Sequence, residues 1–465
     1  MLSVRIGSTI GAAAGLIVPV APGRVPERWR TSAAADVFTG KPETTCLMFA
    51  GNQRIVLVGL GDDAEAAGAC AAAQLLRCPT VAIDARGLSA SQAAGLAAGA
   101  CLRAWHADTL RTRTDEHAPL LATLELVSDD PATATVWASL APGIEGNLYT
   151  RDLVTEPSNT LTPAGFINRL EKLVQAGVVL EILDAVQLAA LGFGGLLAVG
   201  GGSVHPPCLA VLRWAGTQGG APVAFVGKGV TFDTGGISIK PADLMWEMRA
   251  DMAGAAACAG AMLALALRRS PMPAIAVLPI AENATGAASY RPGDVLRMHN
   301  GTTVQVVDTD AEGRLILADA LSYAAAQKPA ALIDMATLTG SIVAALGHEM
   351  AGAFDNHAGL GEAVRRAGQA TGERVWRMPI GEDHRRALDS DIADVAHCVD
   401  GRGHPDACQA AAFLKDFVGD LPWVHLDIAG VESCAEASDR QAKGATGFGV
   451  RLLDRLVAER FEHHG

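Results

Sequence analysis

Short apolar runs that end in glycine-rich turns and lead into alanine-rich stretches recur along the chain. This alternation constrains the fold more than any other feature. In the first third, residues 54–61 predict a buried strand and a glycine turn, 64–76 a helix, 81–84 a strand and 90–105 another helix. Strands that alternate with helices in this way form a mostly parallel sheet covered by helices. The sequence therefore predicts an α/β fold.

The same alternation resumes further along the chain and predicts a second, larger sheet. The predicted strands are 209–214, 223–226, 274–278, 331–335 and 423–428. A long helix of small residues is predicted at 251–267, and a glycine-rich loop with a closing helix at 443–458. The segment 131–146 is a plausible domain boundary. We therefore predict a small N-terminal α/β domain at 1–146 and a larger α/β domain with a mixed central sheet at 147–465.

Composition excludes several classes of protein. Half of the chain is hydrophobic and 19% is charged, which is typical of a folded protein and not of a disordered one. The 37 Lys and Arg residues against 50 Asp and Glu residues give a net charge of −13. A negative chain of this kind is a poor partner for nucleic acids or anionic membranes, and it is compatible with binding metal cations.

A membrane location is not predicted, although the mean hydropathy is +0.24. The best candidate span, 6–23, is interrupted by Pro19 and Pro22, and a span needs about 20 consecutive apolar residues. Arg5 is the only basic residue before this segment, and the segment itself has none, which makes it a poor secretion signal. The nine cysteines are irregularly spaced and include no CxxC motif, so we expect buried thiols in a reducing, cytoplasmic compartment.

Charged side chains concentrate between residues 227 and 314, in glycine-rich loops that follow predicted strands. They are Lys228, Asp233, Lys240, Asp251, Asp310, Glu312 and Arg314. The four carboxylates would repel one another unless cations lay between them, and two divalent cations would suit them. Two such ions can activate a water and polarise a carbonyl, while lysine and arginine stabilise developing negative charge. Ordinary ion pairs in surface loops are the alternative, and spacing alone leaves both open.

At these residues the chain resembles a known family. The segment DTDAEGRL at 308–315 resembles NTDAEGRL, the signature of the leucyl aminopeptidase (cytosol aminopeptidase, M17) family. Further segments resemble those of the family in the same order: RDLVTEPSNTLTP, GKGVTFDTGGISIKP, MRADMAGAAA, YRPGDVL, ATLTG, HLDIAG and GATGFGVRLL. The resemblance covers roughly 150 to 458. It implies a metal-dependent enzyme that removes N-terminal amino acids from peptides.

The resemblance also implies a role for each charged residue. The positions that match the family's metal ligands are Lys228, Asp233, Asp251, Asp310 and Glu312. They would hold two divalent ions, Zn²⁺ or Mn²⁺, and Lys228 would have to be neutral to bind one. In the implied mechanism a water that bridges the metals attacks the peptide carbonyl. Lys240 stabilises the oxyanion, and Arg314 holds a bicarbonate that carries the proton.

The substrate's first side chain is expected to bind near Met248, Thr337, Gly340, Ala429 and Glu432, which match the family's pocket. Glu432 stands where the pattern has a small or apolar residue. We hypothesise that it reduces the preference for leucine and favours basic or polar side chains. The alternative is that Glu432 points into solvent.

Two further segments depart from the family pattern. Asp308 replaces the usual asparagine, which adds negative charge beside the metal ligands and could shift metal affinity. The segment HPDACQ at 404–409 replaces a glycine-rich approach to a late helix, which puts the local loop shape and subunit contacts in doubt.

Assembly and rival functions complete the expectations. The family resemblance implies a homohexamer whose active sites face an interior cavity. One rival function is a related metal amidase that acts on a special dipeptide such as cysteinylglycine. The other is a DNA-binding architectural role, known for some relatives, and the net charge of −13 argues against it.

Overall fold

A computed structural model describes residues 2–107, 110–112, 119–401 and 403–462. The chain divides into two compact units. The smaller unit comprises Met1–Leu148 and Cys434–Gly444, and the larger comprises Tyr149–Ser433 and Ala445–Gly465. The predicted domain boundary between residues 146 and 147 stays a prediction. No pattern in the sequence indicates that residues 434–444 belong to the smaller unit.

The smaller unit is a mostly parallel sheet covered by helices. Its strands are β1 (Ser3–Gly7), β2 (Gly15–Val20), β3 (Thr45–Ala50), β4 (Gln53–Gly59), β5 (Thr80–Asp84) and β6 (Thr123–Val127), in the order β1-β6-β5-β2-β4-β3. Its helices are α1 (Arg30–Ala35), α2 (Ala64–Ala73) and α3 (Ala90–Ala104), with a 3-10 turn at Glu27–Trp29. Only β3 runs antiparallel to its neighbour among these described strands.

Helices α2 and α3 pack closely because small residues line their contact. A Cβ atom on Gly68 of α2 would lie 2.1 Å from the carbonyl oxygen of Leu96, and one on Gly99 of α3 would lie 1.8 Å from that of Glu65. Neither position can accept a side chain without separating the helices. The alanine-rich composition of this part of the chain therefore serves helix packing.

Helix α4 (Thr133–Thr155) occupies the segment that the sequence analysis assigned to a boundary. It begins well before the predicted start near Asn147 and contains Pro142. Proline removes one helical hydrogen bond, here from the carbonyl of Ala138. Ala138 is exposed, so water can satisfy that carbonyl and the helix continues.

The larger unit is built on a mixed sheet. Its strands are β7 (Val179–Leu183), β8 (Cys208–Trp214), β9 (Val223–Gly227), β10 (Gly229–Asp233), β11 (Ala274–Asn283), β12 (Val295–Arg297), β13 (Thr303–Gln305), β14 (Ala331–Ala336), β15 (Ala351–Asp355), β16 (Val375–Arg377), β17 (Val395–Ala396) and β18 (Trp423–Asp427). The main sheet has the order β16-β15-β18-β14-β9-β11-β8-β7, and β10 also pairs with β11. Strands β12, β13 and β17 form a small separate sheet. The predicted two-domain α/β fold with a mixed central sheet is confirmed.

Helices cover this sheet. They are α5 (Pro163–Arg169), α6 (Glu171–Gln175), α7 (Ala185–Leu191), α8 (Gly194–Gly200), α9 (Ala253–Leu267), α10 (Glu312–Ala326), α11 (Gly340–Leu346), α12 (Ala358–Thr371), α13 (Glu382–Arg386), α14 (Asp406–Lys415) and α15 (Val450–Arg460), with a 3-10 turn at Met245–Ala250. The short strands β19 (Ser433–Cys434) and β20 (Gly444–Ala445) lie where the chain passes between the units.

Within the described residues, one helical stretch, Met245–Leu267, is long and apolar enough to cross a membrane. However, 89% of its apolar window is buried inside the structure. Its helix α9 packs against β9, β11 and β14, and all its residues except Leu267 are buried. The stretch therefore serves as a core helix of the larger unit.

Candidate active site

The charged residues singled out in the sequence meet at one edge of the main sheet. Lys228 directly follows β9, Asp233 ends β10, and Thr337 directly follows β14. Strands β9, β10, β11, β14 and β18 form parallel pairs, so their carboxyl ends share this edge. Crevices at the carboxyl ends of parallel strands are the usual place for ligands in α/β sheets.

Lys228 is buried at the centre of the cluster. Its Nζ lies 2.7 Å from Asp251 Oδ1 and 2.9 Å from Glu312 Oε1. Nζ also donates a hydrogen bond of 2.8 Å to the carbonyl oxygen of Thr337. Gly313 leaves the space that this side chain needs, because a Cβ atom there would lie 2.8 Å from Lys228 Cε.

Lys240 supplies the second ammonium group of the cluster. Its Nζ lies 2.8 Å from Asp233 Oδ2 and 2.5 Å from Asp310 Oδ1. The loop between β10 and Lys240 turns through Gly235, at φ +84°, a conformation that favours glycine. The Lys240 amide then donates to the carbonyl of Thr234, which fixes the lysine beside the carboxylates.

Carboxylate oxygens of Asp233, Asp310 and Glu312 lie within 4.8 Å of one another. Asp233 and Glu312 are buried, whereas Asp310 is exposed. Asp251 joins them through Lys228, and it lies between the 3-10 turn and helix α9. The alternative of ordinary surface ion pairs does not fit the burial of Lys228.

Neutral residues that the sequence analysis did not single out hold this arrangement. Asn283, at the end of β11, donates through Nδ2 to Asp233 Oδ1 at 2.7 Å and to the carbonyl of Thr309 at 3.0 Å. The Tyr290 hydroxyl donates to the same carbonyl at 2.9 Å. Both residues lie in or beside the quoted family segments, but their polar partners are far away in the sequence.

The charged groups of the cluster shift one another's pKa values. Burial, and then the neighbouring carboxylates, raise the pKa of Asp251 and of Glu312 despite the nearby lysines. Burial and the Asp233 carboxylate raise the pKa of Asp310 to about 7. Burial lowers the pKa of Lys228, but Asp251, Glu312 and Asp233 outweigh it and the net pKa is raised. The carboxyl groups of the cluster therefore cannot all ionise easily at once, and additional cations would stabilise their charged forms.

The donor set fits divalent cations. Asp251 Oδ2 is buried and accepts no hydrogen bond within the described residues, although a buried carboxylate oxygen ordinarily has a partner. Carboxylate oxygens are ligands for Mg²⁺, Mn²⁺ and Zn²⁺. The two lysine ammonium groups lie between these carboxylates and compensate their charge in the way that metal ions would.

Arg314 is the third residue of helix α10, which begins at Glu312 of the cluster, and its side chain is buried. Its Nη2 donates to Asp406 Oδ1 at 2.8 Å and its Nη1 to the carbonyl oxygen of His397 at 3.2 Å. Asp406 was noticed in the sequence only as part of a departing segment. The signal that could have indicated a specific role for Asp406 is its position as an acidic residue in the first turn of α14.

Hydrogen bonds connect two of the five predicted pocket residues, Thr337 and Met248, to Asp251 of the cluster. Thr337 Oγ1 donates to Asp251 Oδ1 at 2.7 Å, and the amide of Asp251 donates to the carbonyl of Met248. Asp427 Oδ1 accepts from the amides of Leu338 and Ala429, which brings Ala429 beside the start of α11, where Gly340 lies.

Glu432 follows in the same turn as Ala429, and its amide donates to the carbonyl of Ile428. Glu432 is half-buried, and its Oε2 is buried without a hydrogen-bond partner among the described residues. Burial raises the pKa of this carboxyl to about 7, and the charges of Asp427 and Glu247 act in the same direction. A carboxylate oriented into solvent would show neither property.

Comparison with known proteins places the chain among peptidases. The model of the cytosol aminopeptidase family's catalytic domain matches residues 148–454. A probable cytosol aminopeptidase of Gluconobacter oxydans is 49% identical over 363 residues, which are 78% of this chain and 74% of the relative. One of Nitrobacter winogradskyi is 42% identical over 98% of this chain and 93% of the relative.

The chain is also similar to solved structures. The bottromycin maturation enzyme BotP, in complex with Mn, superposes with a TM-score of 0.86 at 33% sequence identity. The superposition covers 96% of this chain and 99% of BotP. The match therefore extends over both units of the chain.

Proposed function

The chain belongs to the cytosol aminopeptidase family, and on that premise we propose that it is a metal-dependent aminopeptidase. It would hydrolyse the first peptide bond of peptides that carry a free N-terminus. The observation that carries the proposal is the meeting of Asp233, Asp310 and Glu312 within 4.8 Å, between two buried or half-buried lysines. Ordinary surface ion pairs do not require three carboxylates to lie so close together.

We propose that Lys228, Asp233, Asp251, Asp310 and Glu312 hold two divalent cations, Mn²⁺ or Zn²⁺. The Mn complex of BotP supports this assignment through structural likeness. When bound, the cations supply a water of lowered pKa and polarise the peptide carbonyl. Lys228 would give up its proton to become a ligand, because two adjacent cations disfavour its charged form.

Lys240 stabilises the oxyanion that develops on the carbonyl oxygen. Its ammonium group is half-buried beside Asp233 and Asp310, and their charge raises its pKa despite the opposing effect of burial. A fixed positive charge in a partly dry site stabilises a developing oxyanion better than water does. Lys240 is thus assigned a catalytic role and Lys228 a ligand role.

Arg314 places the group that carries the proton from the water to the leaving amine. Its guanidinium is buried and presents its donors to an anion. Bicarbonate, which the family resemblance names, is one such anion. The Asp406 carboxylate is another, and it already lies 2.8 Å from Nη2.

We propose that Met248, Thr337, Gly340, Ala429 and Glu432 line the pocket for the first side chain. A buried carboxylate oxygen without a partner, such as Glu432 Oε2, would pair with a basic side chain. We therefore propose that Glu432 shifts preference from leucine toward arginine or lysine.

Location and assembly are proposed on family grounds. The relatives carry the name cytosol aminopeptidase, which supports a cytoplasmic location. A homohexamer of two-domain chains, divided at residues 146 and 147, remains our proposal for the assembly.

Release of free amino acid from Leu-, Met-, Arg- and Cys-Gly dipeptides tests the function, with Mn²⁺ or Zn²⁺ added and N-acetylated dipeptides as controls. Cleavage of the free-amine substrates alone, abolished by a chelator, is the expected result. Cleavage of Cys-Gly alone would instead indicate the specialised amidase. With no cleavage at all, and a salt-dependent shift of duplex DNA, the architectural role would replace this proposal.

A further inference from the structure

We propose that the Asp406 carboxylate is the resident anion of Arg314 and takes the place of a free bicarbonate in this chain. The inference rests on the proposed hydrolytic function and names the group that carries the proton in it. The segment 404–409, which departs from the family pattern, is the part of the chain that delivers this carboxylate.

The pairing with Arg314 is enclosed by protein. The Arg314 side chain is 3% exposed and that of Asp406 is 28% exposed. A buried guanidinium without an anion would be strongly destabilising, since its charge would have lost water without compensation. Asp406 Oδ1 provides the anion at 2.8 Å, while the carbonyl oxygen of His397 occupies Nη1. Both Nη groups of Arg314 therefore already have an acceptor, and only its Nε is buried without a partner among the described residues.

Neighbouring residues fix the position of Asp406. The amide of Asp406 donates to the carbonyl of His404 at 2.9 Å. His404 Nδ1 lies 2.9 Å from Gln409 Oε1, and its Nε2 lies 2.9 Å from the carbonyl of Gly401. Pro405 restricts the backbone just before α14, with φ at −79°. The residues that depart from the family pattern thus work together as one ordered turn.

The start of α14 is tied down as well. The amide of Ala407 donates to Ser341 Oγ at 2.9 Å, which joins α14 to α11. Asp406 is the first residue of a ten-residue helix, where the exposed backbone N–H groups favour a carboxylate. The carboxylate is therefore held in its orientation without a bound ligand.

A carboxylate can perform the proton transfers that bicarbonate would perform. The attacking water forms a bond to the peptide carbon and gives one proton to a carboxylate oxygen of Asp406. The C–N bond then breaks, and Asp406 returns that proton to the leaving amine nitrogen. One water is added across the bond and Asp406 is unchanged, so no further reactant is needed.

Bicarbonate dependence distinguishes this role from an ordinary ion pair. The peptidase is assayed with its metal in bicarbonate-free buffer and again with bicarbonate or formate. We expect the wild-type rate to be unaffected by either anion. Asp406→Ala should lose about 10²-fold in kcat, within the usual range for general acid–base groups, and bicarbonate or formate should restore about tenfold. Asp406→Asn should lose activity without rescue, because the amide still fills the space.

Asp416→Ala is the matched control, since Asp416 directly follows the same helix and pairs with Arg385 on the surface. It should behave like the wild type. A second readout is independent of activity: bicarbonate should raise the melting temperature of Asp406→Ala and not that of the wild type. If the wild type hydrolyses no peptide, the proposed function fails, whereas this thermal response still tests the anion site.

Three results would overturn the inference. The wild-type rate could rise with bicarbonate, which would make the free anion the proton carrier. Asp406→Ala could keep its full rate in bicarbonate-free buffer. Finally, Asp406→Ala could be folded and slow, with neither rate nor melting temperature responding to bicarbonate, which would leave Asp406 a structural partner only.

Discussion

Two groups of carboxylates lie within the larger unit and are held in opposite ways. The first group, the site carboxylates, comprises Asp233, Asp251, Asp310 and Glu312. The second group, the structural carboxylates, comprises Asp319, Asp334, Glu373 and Asp427, and all four are buried. Glu312 and Asp319 lie on the same helix, α10, so the difference between the groups comes from their partners.

Two of the structural carboxylates, Asp319 and Asp427, are satisfied by neutral donors. Asp319 accepts from the amides of Leu196 and His299 at 2.9 and 2.8 Å. Asp427 accepts from the Thr339 hydroxyl at 2.7 Å and from two backbone amides. Such bonds let a carboxylate be buried without another acid nearby.

The site carboxylates are held mainly by two lysines and by one another. Lys228 and Lys240 contact all four at 2.5 to 2.9 Å, and Asp251 Oδ2 has no hydrogen-bond partner in the described chain. Crowded acids with unused oxygens create a site that cations can stabilise. Crowding and unused oxygens, rather than burial alone, therefore mark a functional carboxylate here.

Loss of a site carboxylate should have the largest effect. Glu312→Gln keeps the shape of the side chain but removes one of the charges that would hold the metals. We expect activity to fall by more than about 10³-fold, beyond the loss from one oxyanion donor. Metal content after gel filtration should fall with it.

The Asp319→Asn variant is the matched control, because Asp319 lies on the same helix, α10. It should bind metal normally. Equal metal loss in both variants would remove the distinction between the two groups.

Loss of a structural carboxylate should instead reduce stability. Asp334 accepts from Trp423 Nε1 and from His425 Nδ1, both at 2.6 Å, in the centre of the sheet. In Asp334→Asn the amide nitrogen would face one of these donors and leave it unsatisfied. We expect the free energy of unfolding to fall by about 3 kcal/mol, measured by urea denaturation.

Glu362→Gln serves as its control, since Glu362 pairs with Arg365 on an exposed helix face. Its stability should equal that of the wild type. If Asp334→Asn were as stable as this control, the polar network around His425 would contribute nothing to the fold.

The two groups also show what the sequence can predict. Strand and helix alternation predicted the α/β fold, and glycine-rich motifs marked Asp233, Asp310 and Glu312, because those signals are local. No local motif marks Asp319, which lies on the same helix as Glu312. Asp319 is satisfied by Leu196, which lies 123 residues away, and such a partner cannot be read from the sequence. The role of Asp406 depends on a contact with Arg314, which lies 92 residues away.

Stability should depend on pH through Glu373. Burial raises the pKa of this carboxyl from 4.5 to about 7, although Arg451 and the amide of Leu452 oppose the shift. Below the lower value both folded and unfolded chains hold the proton, and the full stability is present. Between about 4.5 and 7 the unfolded chain releases this proton while the folded chain keeps it, so about 2 kcal/mol should be lost over that interval. The loss should level off above about 7, where the folded chain ionises as well.

The Glu373→Gln variant should lack this component of the pH dependence, as the difference between its unfolding curve and that of the wild type would show. Parallel curves for the two proteins would mean that the hydrogen bonds to Glu373 outweigh its burial. Glu373 would then be ionised throughout this range, as a fully satisfied carboxylate can be.

Glu432 shares features with both groups of carboxylates. Its substitution should have the smallest effect of those considered. Like Asp251 it has a buried oxygen without a partner in the described chain, yet no lysine pairs with it. If a basic substrate side chain is its missing partner, Glu432→Met should lower the Arg-to-Leu ratio of kcat/KM by about tenfold, or about 1.4 kcal/mol. Glu432→Gln controls for shape: it should also lose the preference for arginine, without the gain in leucine that an apolar pocket wall gives.

The wild-type ratio should also rise as pH passes about 7, where Glu432 ionises, and both variants should lack this rise. Arginine itself stays charged over that range, so the change would report on the carboxyl group. A strong and pH-independent preference for leucine in all three proteins would mean that Glu432 never meets the substrate. An unpaired buried oxygen would then not suffice to mark a functional carboxylate, and the crowding seen at Asp233 and Glu312 would be the sign that matters.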